Sequence, residues 1–192
     1  MSSQSVVGLL LAAGAGRRMG KPKALAGDED GVAWVVSASR ILRDGGCDPV
    51  VVVVGADADR VRRLVAAEPV QVVEAADWDE GMGASLRAGL AYLVASGLDV
   101  DAALVHLVDL PDVGADVIAR VGGRASPAVL ARATYGGDEA GGHPVLLGRA
   151  HWAGVVATAT GDRGARDYLH GRDVLEIDCA DLALGRDIDQ LP

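Results

Sequence analysis

Hydrophobic positions along the chain alternate between two patterns. Continuous apolar runs at 6–11 (VVGLLL), 50–54 (VVVVV) and 102–108 (AALVHLV) are those of strands buried on both faces. Shorter runs at 70–74, 129–134 and 174–177 also predict strands. Between them, apolar residues recur with helical spacing at 33–42, 57–67, 85–94, 113–121 and 150–157. Gly45-Gly46 ends the first of these helices, and Gly55 caps the second strand. Asp57 or Asp59 stands near the start of the second helix, and Asp112 reads as the cap of the helix at 113–121. Pro111 stops the strand that ends at Asp109. Strand and helix in alternation predict βαβ units around a mostly parallel α/β sheet.

Composition narrows the class. A chain of 192 residues fits one domain, 1–192, with a core of useful size. Half of it is hydrophobic, yet aromatics are 3% and Phe is absent, so Val, Leu, Ala and Ile must fill the core. The glycine-rich stretches at 135–142 and 161–164 read as local loops, and no repeat or linker is visible. A net charge of −9 argues against nucleic acid and anionic membrane as partners. No apolar stretch approaches the ~20 residues of a membrane helix. The first apolar run lacks the preceding positive charge of a signal peptide, so it reads as a strand. Cys47 and Cys179 stand far apart without a CxxC. Two free thiols in a reducing, cytoplasmic setting are expected.

Against this acidic background, LLLAAGAGRRMGKPKAL (9–25) inverts the local charge, with Arg17, Arg18, Lys21 and Lys23 packed behind three glycines. Glycines let backbone N–H groups approach an anion, and the cations add attraction. One reading is a triphosphate cradle, with amides from Ala13 to Gly16 and charge from Arg18 and Lys23. A basic surface turn is the plain alternative. A dinucleotide loop is a third, although Gly14, Gly16 and Gly20 do not keep the GxGxxG spacing and Pro22 follows.

Other candidates lie beyond later strands, where open parallel sheets bind ligands. Asp109 ends a buried strand and suits Mg²⁺, or else caps the next turn. Ser85, in DWDEGMGAS (77–85), either meets a nucleotide or caps a helix. Trp78 and Met82 either flank a ligand or anchor that loop. His143, in GGHPVLL, either touches substrate or is structural, and His106 reads as structural. GDRGAR (161–166), with Asp162 and Arg166, either holds an acceptor phosphate or is a turn opening a helix. Asp187 or Asp189 is a candidate second metal ligand.

Five blocks carry a family resemblance. LAAGAGRRMGKPK (11–23) resembles the nucleotidyltransferase pattern LAAGxGxRMGxxK. DWDEGMGASLRAGL (77–90), HLVDLPDV (106–113), GGHPVLLGRAHW (141–152) and GDRGAR (161–166) resemble the molybdenum cofactor nucleotidyltransferases, especially the cytidylyl branch. The resemblance implies a three-layer α/β/α sandwich with a Rossmann-like sheet, of the nucleotide-diphospho-sugar transferase type. It implies nucleotidyl transfer from an NTP to the terminal phosphate of a pterin cofactor, with release of pyrophosphate and Mg²⁺ as cofactor. Arg18, Lys23 and Asp109 are then catalytic. Leu11, Ala12, Ala13, Gly14, Gly16, Asp77, Gly83 and Ser85 join Arg18 and Lys23 around the nucleotide. Asp109 and Asp187 match the metal carboxylates, and His143, Asp162 and Arg166 fall to the acceptor. LAAG in place of LAGG, and the lack of a GGxDK run, favour CTP over GTP. A molybdoenzyme or its chaperone is an implied partner. The chain departs from the pattern at DIDQLP, where the family's DIDTPEDL leads into a terminal helix, and at Asp77, where Asn is frequent. An NAD(P)- or flavin-dependent oxidoreductase and a non-catalytic nucleotide-binding protein are the alternatives.

Overall fold

The computed structural model describes residues 5–28, 30–136 and 142–188. Its strands are β1 (Val6–Leu11), β2 (Val50–Val54), β3 (Val70–Glu74), β4 (Ala102–Leu107), β5 (Leu130–Thr134), β6 (Val145–Gly148) and β7 (Leu175–Asp178). They form one seven-stranded sheet in the order β3-β2-β1-β4-β6-β5-β7. Strands β1 to β4 pair in parallel, β6 runs antiparallel to β4 and β5, and β7 is parallel to β5. The helices are α1 (Trp34–Asp44), α2 (Ala58–Leu64), α3 (Met82–Ser96), α4 (Ala115–Gly122), α5 (Trp152–Thr158) and α6 (Arg166–Leu169).

Alternation along each strand builds two cores. Val6 and Leu10 of β1, with Val50, Val52 and Val54 of β2, pack with α1, α2 and α4. Val7, Leu9 and Leu11, with Val51 and Val53, pack on the other face with α3 and α5. Every residue of β1 and β2 is buried, which is why both read as unbroken apolar runs. The expected three-layer α/β/α arrangement with a mostly parallel sheet is therefore present.

The differences are local. Strand β6 lies inside GGHPVLLGR, where the sequence pattern predicts no element, although all four of its residues are buried. Helix α3 begins at Met82 rather than Ser85, with Gly81 as its cap, so Ser85 lies within the first turns and caps nothing. Helix α4 begins at Ala115, and its cap is Gly114. Asp112 is therefore not a helix cap. Its Oδ2 accepts the N–H groups of Leu184 and Gly185 at 2.8 and 2.9 Å. Those two residues are remote in sequence, which is why a short-range cap signal misread it. Asp189 lies outside the described residues, as does most of the 135–142 loop. Cys47 and Cys179 are free and buried, and burial pushes the Cys47 thiol up to about 12. Among the described residues no helix is long and apolar enough to cross a membrane.

His106 is the one fully interior imidazole of β4, 1% exposed, and its Nδ1 has no hydrogen-bond partner. Burial, with a smaller push from His143, holds its pKa down to about 3 against an ordinary 6.5. Below pH 6.5 the unfolded chain takes up a proton here that the folded chain refuses. Stability must then fall as the pH drops from about 6.5 toward 3, by up to about 1.4 kcal/mol per pH unit from this group. Urea denaturation between pH 7 and 4 should show this slope, and His106→Leu should flatten it; an unchanged slope in the variant removes His106 as its cause.

Candidate active site

Strand β1 ends inside the sheet, and its chain keeps pairing with β2 for two more residues. The Ala12 N–H donates to the Val53 carbonyl, and the Ala56 N–H donates to the Ala13 carbonyl, both at 2.9 Å. Only then does the glycine loop leave the sheet. Gly16 has φ +58°, and a Cβ there would lie 2.0 Å from the Lys21 carbonyl oxygen. The loop can fold back on itself only with glycine at this position. A 3₁₀ turn, Lys23–Leu25, follows, and Met19 and Leu25 pack against the core.

This fold-back returns Lys23 to the strand tips. Its Nζ lies 2.6 Å from Asp109 Oδ2, with side chains 19% and 13% exposed. Strands β1 and β4 are in register at Leu11 and Leu107, so the two tips stand level. The glycine loop and the acidic strand tip thus meet across 86 positions of sequence.

They form two walls of a cleft of about 550 Å³. Leu11, Ala13, Gly14, Gly16, Arg18, Lys23, Ser85, Asp109 and Asp162 all line it, as does Arg17. Its third wall is the turn Trp78–Glu80 and the first turns of α3, which has no side-chain cap. An uncapped helix N-terminus favours anions through its free N–H groups and dipole. Ser85 is 5% exposed and faces the cleft from α3. Trp78 both lines the cleft and anchors the loop. A Cβ on Gly55 would come within 2.5 Å of it, so the indole covers the tip of β2.

Three expected nucleotide residues are placed away from the cleft. Ala12 is buried in the core on the α1 side of the sheet. Asp77 pairs with Arg87 at 3.1 Å, beside Glu80 at 2.8 Å, and Arg87 also donates to the Ala159 carbonyl. Gly83 packs against the backbone of Thr160, where a Cβ would lie 2.7 Å from its nitrogen. Asp77 and Gly83 therefore hold the third wall in place.

A second cleft of about 640 Å³ shares Leu11, Met82 and Asp162 with the first. Its floor is apolar, from Leu86, Val105, Val145 and Leu147, and its rim includes His143, Asp162 and Arg166. The three candidate acceptor residues are thus brought together, next to the phosphate loop. Burial, then repulsion from Arg166, lowers the His143 pKa to about 4. Arg132, Glu176 and Arg172, which no sequence motif marks, stand on the same rim. Arg132 of β5 and Glu176 of β7 are register partners joined by an ion pair. Alternation along 129–134 points Arg132 toward this face, but nothing local reveals that β7 lies beside β5. Arg172 stacks 3.9 Å from the centre of the Tyr168 ring.

Asp187 is exposed and is not among the residues that line the first cleft, but the backbone beside it is tied to the tip of β4. The N–H of the next residue, Ile188, donates to the Asp109 carbonyl at 3.0 Å. Among the described residues no group of three or more His, Cys, Asp or Glu could hold a metal ion. Asp109, which already seats a cation, lines the cleft, and Asp187, the second expected donor, lies outside its lining. Mg²⁺ takes hard oxygen ligands and is often held by one or two carboxylates plus phosphate oxygens and water, so the Asp109 carboxylate fits.

The family model of the MobA-like NTP transferase domain matches residues 8–177. The chain belongs to the MobA-like NTP transferase family. A nucleotidyl transferase from Methanothermobacter thermautotroptrophicus superposes with a TM-score of 0.83 at 19% identity, over 98% of this chain and 93% of that one. Molybdopterin-guanine dinucleotide biosynthesis protein A from Archaeoglobus fulgidus superposes at 0.64 and 16% identity, over 91% and 84%. In sequence, the chain is 36% identical to nicotine blue oxidoreductase from Paenarthrobacter nicotinovorans, over 96% of this chain and 92% of that protein. The seven-stranded α/β fold is that of nucleotidyltransferases, as the resemblance of the five sequence blocks implied.

Proposed function

We propose that this protein is a Mg²⁺-dependent nucleotidyltransferase. It moves CMP, in preference to GMP, from an NTP to the terminal phosphate of a pterin-type cofactor and releases pyrophosphate. One observation carries the reading: Lys23 and Asp109, a cation for phosphates and an oxygen ligand for a metal, meet at the mouth of a glycine-walled cleft. The second cleft supports it. A planar heterocycle fits an apolar floor, and Arg166 on the rim of that cleft suits an acceptor phosphate.

The chemistry is an in-line displacement. An acceptor phosphate oxygen attacks the α-phosphorus, a new P–O bond forms, and the α–β bridge breaks to release pyrophosphate. The nucleophile is already an anion, so no general base is needed. The obstacle is repulsion between anions, and the protein answers it by positioning and charge. Backbone amides from Ala13 to Gly16 and the N-terminus of α3 face the phosphates. Arg18 and Lys23 neutralise the leaving pyrophosphate, Lys23 leaving Asp109 to do so. Asp109 and Asp187 would hold Mg²⁺, whose bound charge stabilises phosphate oxygens.

The 36% identity to an oxidoreductase favours a second reading, reduction of a planar acceptor in the same clefts. The packing of Trp78 on Gly55 weighs against it, because it covers the strand tip where a dinucleotide's ribose would sit.

A thermal-shift panel of CTP, GTP, ATP and UTP, each with and without Mg²⁺, separates the two. A ligand that binds only the folded state raises its stability by mass action. The transferase reading expects a CTP-selective shift that needs the metal. A shift with NAD(P)H alone, or flavin absorbance in the purified protein, would support the second reading instead. Nucleotide binding without pyrophosphate release under any phosphorylated acceptor would mark a binding protein. Lys23→Ala and Asp109→Ala should each lower the rate of pyrophosphate release by about 10²–10³-fold with the fold intact by circular dichroism. Turnover near wild type in either variant withdraws that residue's role.

A further inference from the structure

We propose that Asp112 is a positioning residue for the metal seat, acting through residues 179–188 as a strap. The proposal rests on the reading of Asp109 and Asp187 as metal ligands. After β7 the chain turns back over the ends of the strands and is tied down at three successive points. Arg120 of α4 forks onto Asp181, with Nη2 2.9 Å from Oδ2, and also donates to the Asp178 carbonyl at 2.9 Å. Asp112 then accepts both Leu184 and Gly185 N–H groups on one oxygen. Finally the Ile188 N–H donates to the Asp109 carbonyl.

The order of these ties matters. Asp112 and Asp109 belong to the same short connection after β4, and the strap crosses it in the opposite sense. Asp112 grips the strap two residues before Asp187, and the Asp109 carbonyl grips it one residue after. Asp187 is therefore bracketed between two bonds to the loop that carries the other carboxylate. Leu182, Ala183 and Ile188 pack against the core, so the strap lies flat on the domain. Gly185 has φ +64°, and a Cβ there would lie 2.2 Å from the Tyr135 ring, so the strap's path admits only glycine at that point. Tyr135 in turn donates from its hydroxyl to the His143 carbonyl at 2.6 Å, linking the strap to the rim of the second cleft.

Asp112 is exposed and is not among the residues that line the cleft. Its effect on a bound cation must pass through the strap. Losing a group that orients a metal ligand commonly costs 10–100-fold in metal affinity. Asp112→Asn keeps an oxygen that can accept both N–H groups, and Asp112→Ala does not.

The test uses the full chain, Mn²⁺ as the paramagnetic probe and CTP at saturation, with free Mn²⁺ read by electron paramagnetic resonance. Asp112→Ala should bind Mn²⁺ at least tenfold more weakly than wild type, while its affinity for CTP in EDTA stays within twofold. Asp112→Asn should recover most of the loss. Gly185→Ala, which disturbs the strap while keeping the Asp112 carboxylate, should weaken Mn²⁺ in the same direction. Wild-type Mn²⁺ affinity in Asp112→Ala overturns the proposal, as does an equal loss of CTP affinity without metal. If the wild-type protein binds no Mn²⁺ with CTP, or Asp187→Asn leaves that affinity unchanged, the metal-seat reading itself falls and this proposal falls with it.

Discussion

The partly buried contact between the Lys23 ammonium and the Asp109 carboxylate is the constraint around which the site is organised. It joins the end of the glycine loop to the tip of β4, and it requires β1 and β4 to be neighbours in register. Both groups are mostly withdrawn from water, so each needs a partner of opposite sign. In the protein alone they serve each other. Under the proposed reading, a polyanion arriving with a divalent ion would let both groups exchange partners without leaving either buried and uncompensated.

The remaining walls serve that contact. The Gly16 fold-back shortens the path from β1 to Lys23. Arg87 draws Asp77 and Glu80 together and ties α3 to the Ala159 carbonyl, so the third wall is fixed from behind. The 179–188 segment is held to the back of the Asp109 connection by Arg120, Asp112 and the Asp109 carbonyl. Most of the charged residues near the cleft are thus engaged with one another. Arg17, Arg18 and Lys23, from the loop after β1, bring positive charge to its lining.

The two adjoining clefts differ in what lines them. The first is walled by backbone and charge, which suits phosphates of any nucleotide. The second has an apolar floor and a mixed rim, and its residues come from β1, β4, α3, β5, β6, β7 and the 161–174 region. Under the proposed reading, acceptor identity would be set in the second cleft and the phosphates would be held in the first.

Local sequence was enough for the elements whose signal is local. Strands buried on both faces have no polar positions, so β1, β2 and β4 are legible as apolar runs, and β3 falls where its short run predicts. The glycine loop and its cations are likewise contiguous, and their chemistry can be read from the chain. Strand β6 was not legible, because four residues between Pro144 and Arg149 are too few to establish a period. Nor was the true role of Asp112, since a carboxylate before a helix looks like a cap until a partner more than seventy residues away takes its oxygen. The Arg132–Glu176 pair and the bracketing of Asp187 depend on which strands are neighbours and where the tail lies. Hydrogen-bonded strand order and tail path are settled by packing among distant segments, and no stretch of chain carries that information by itself.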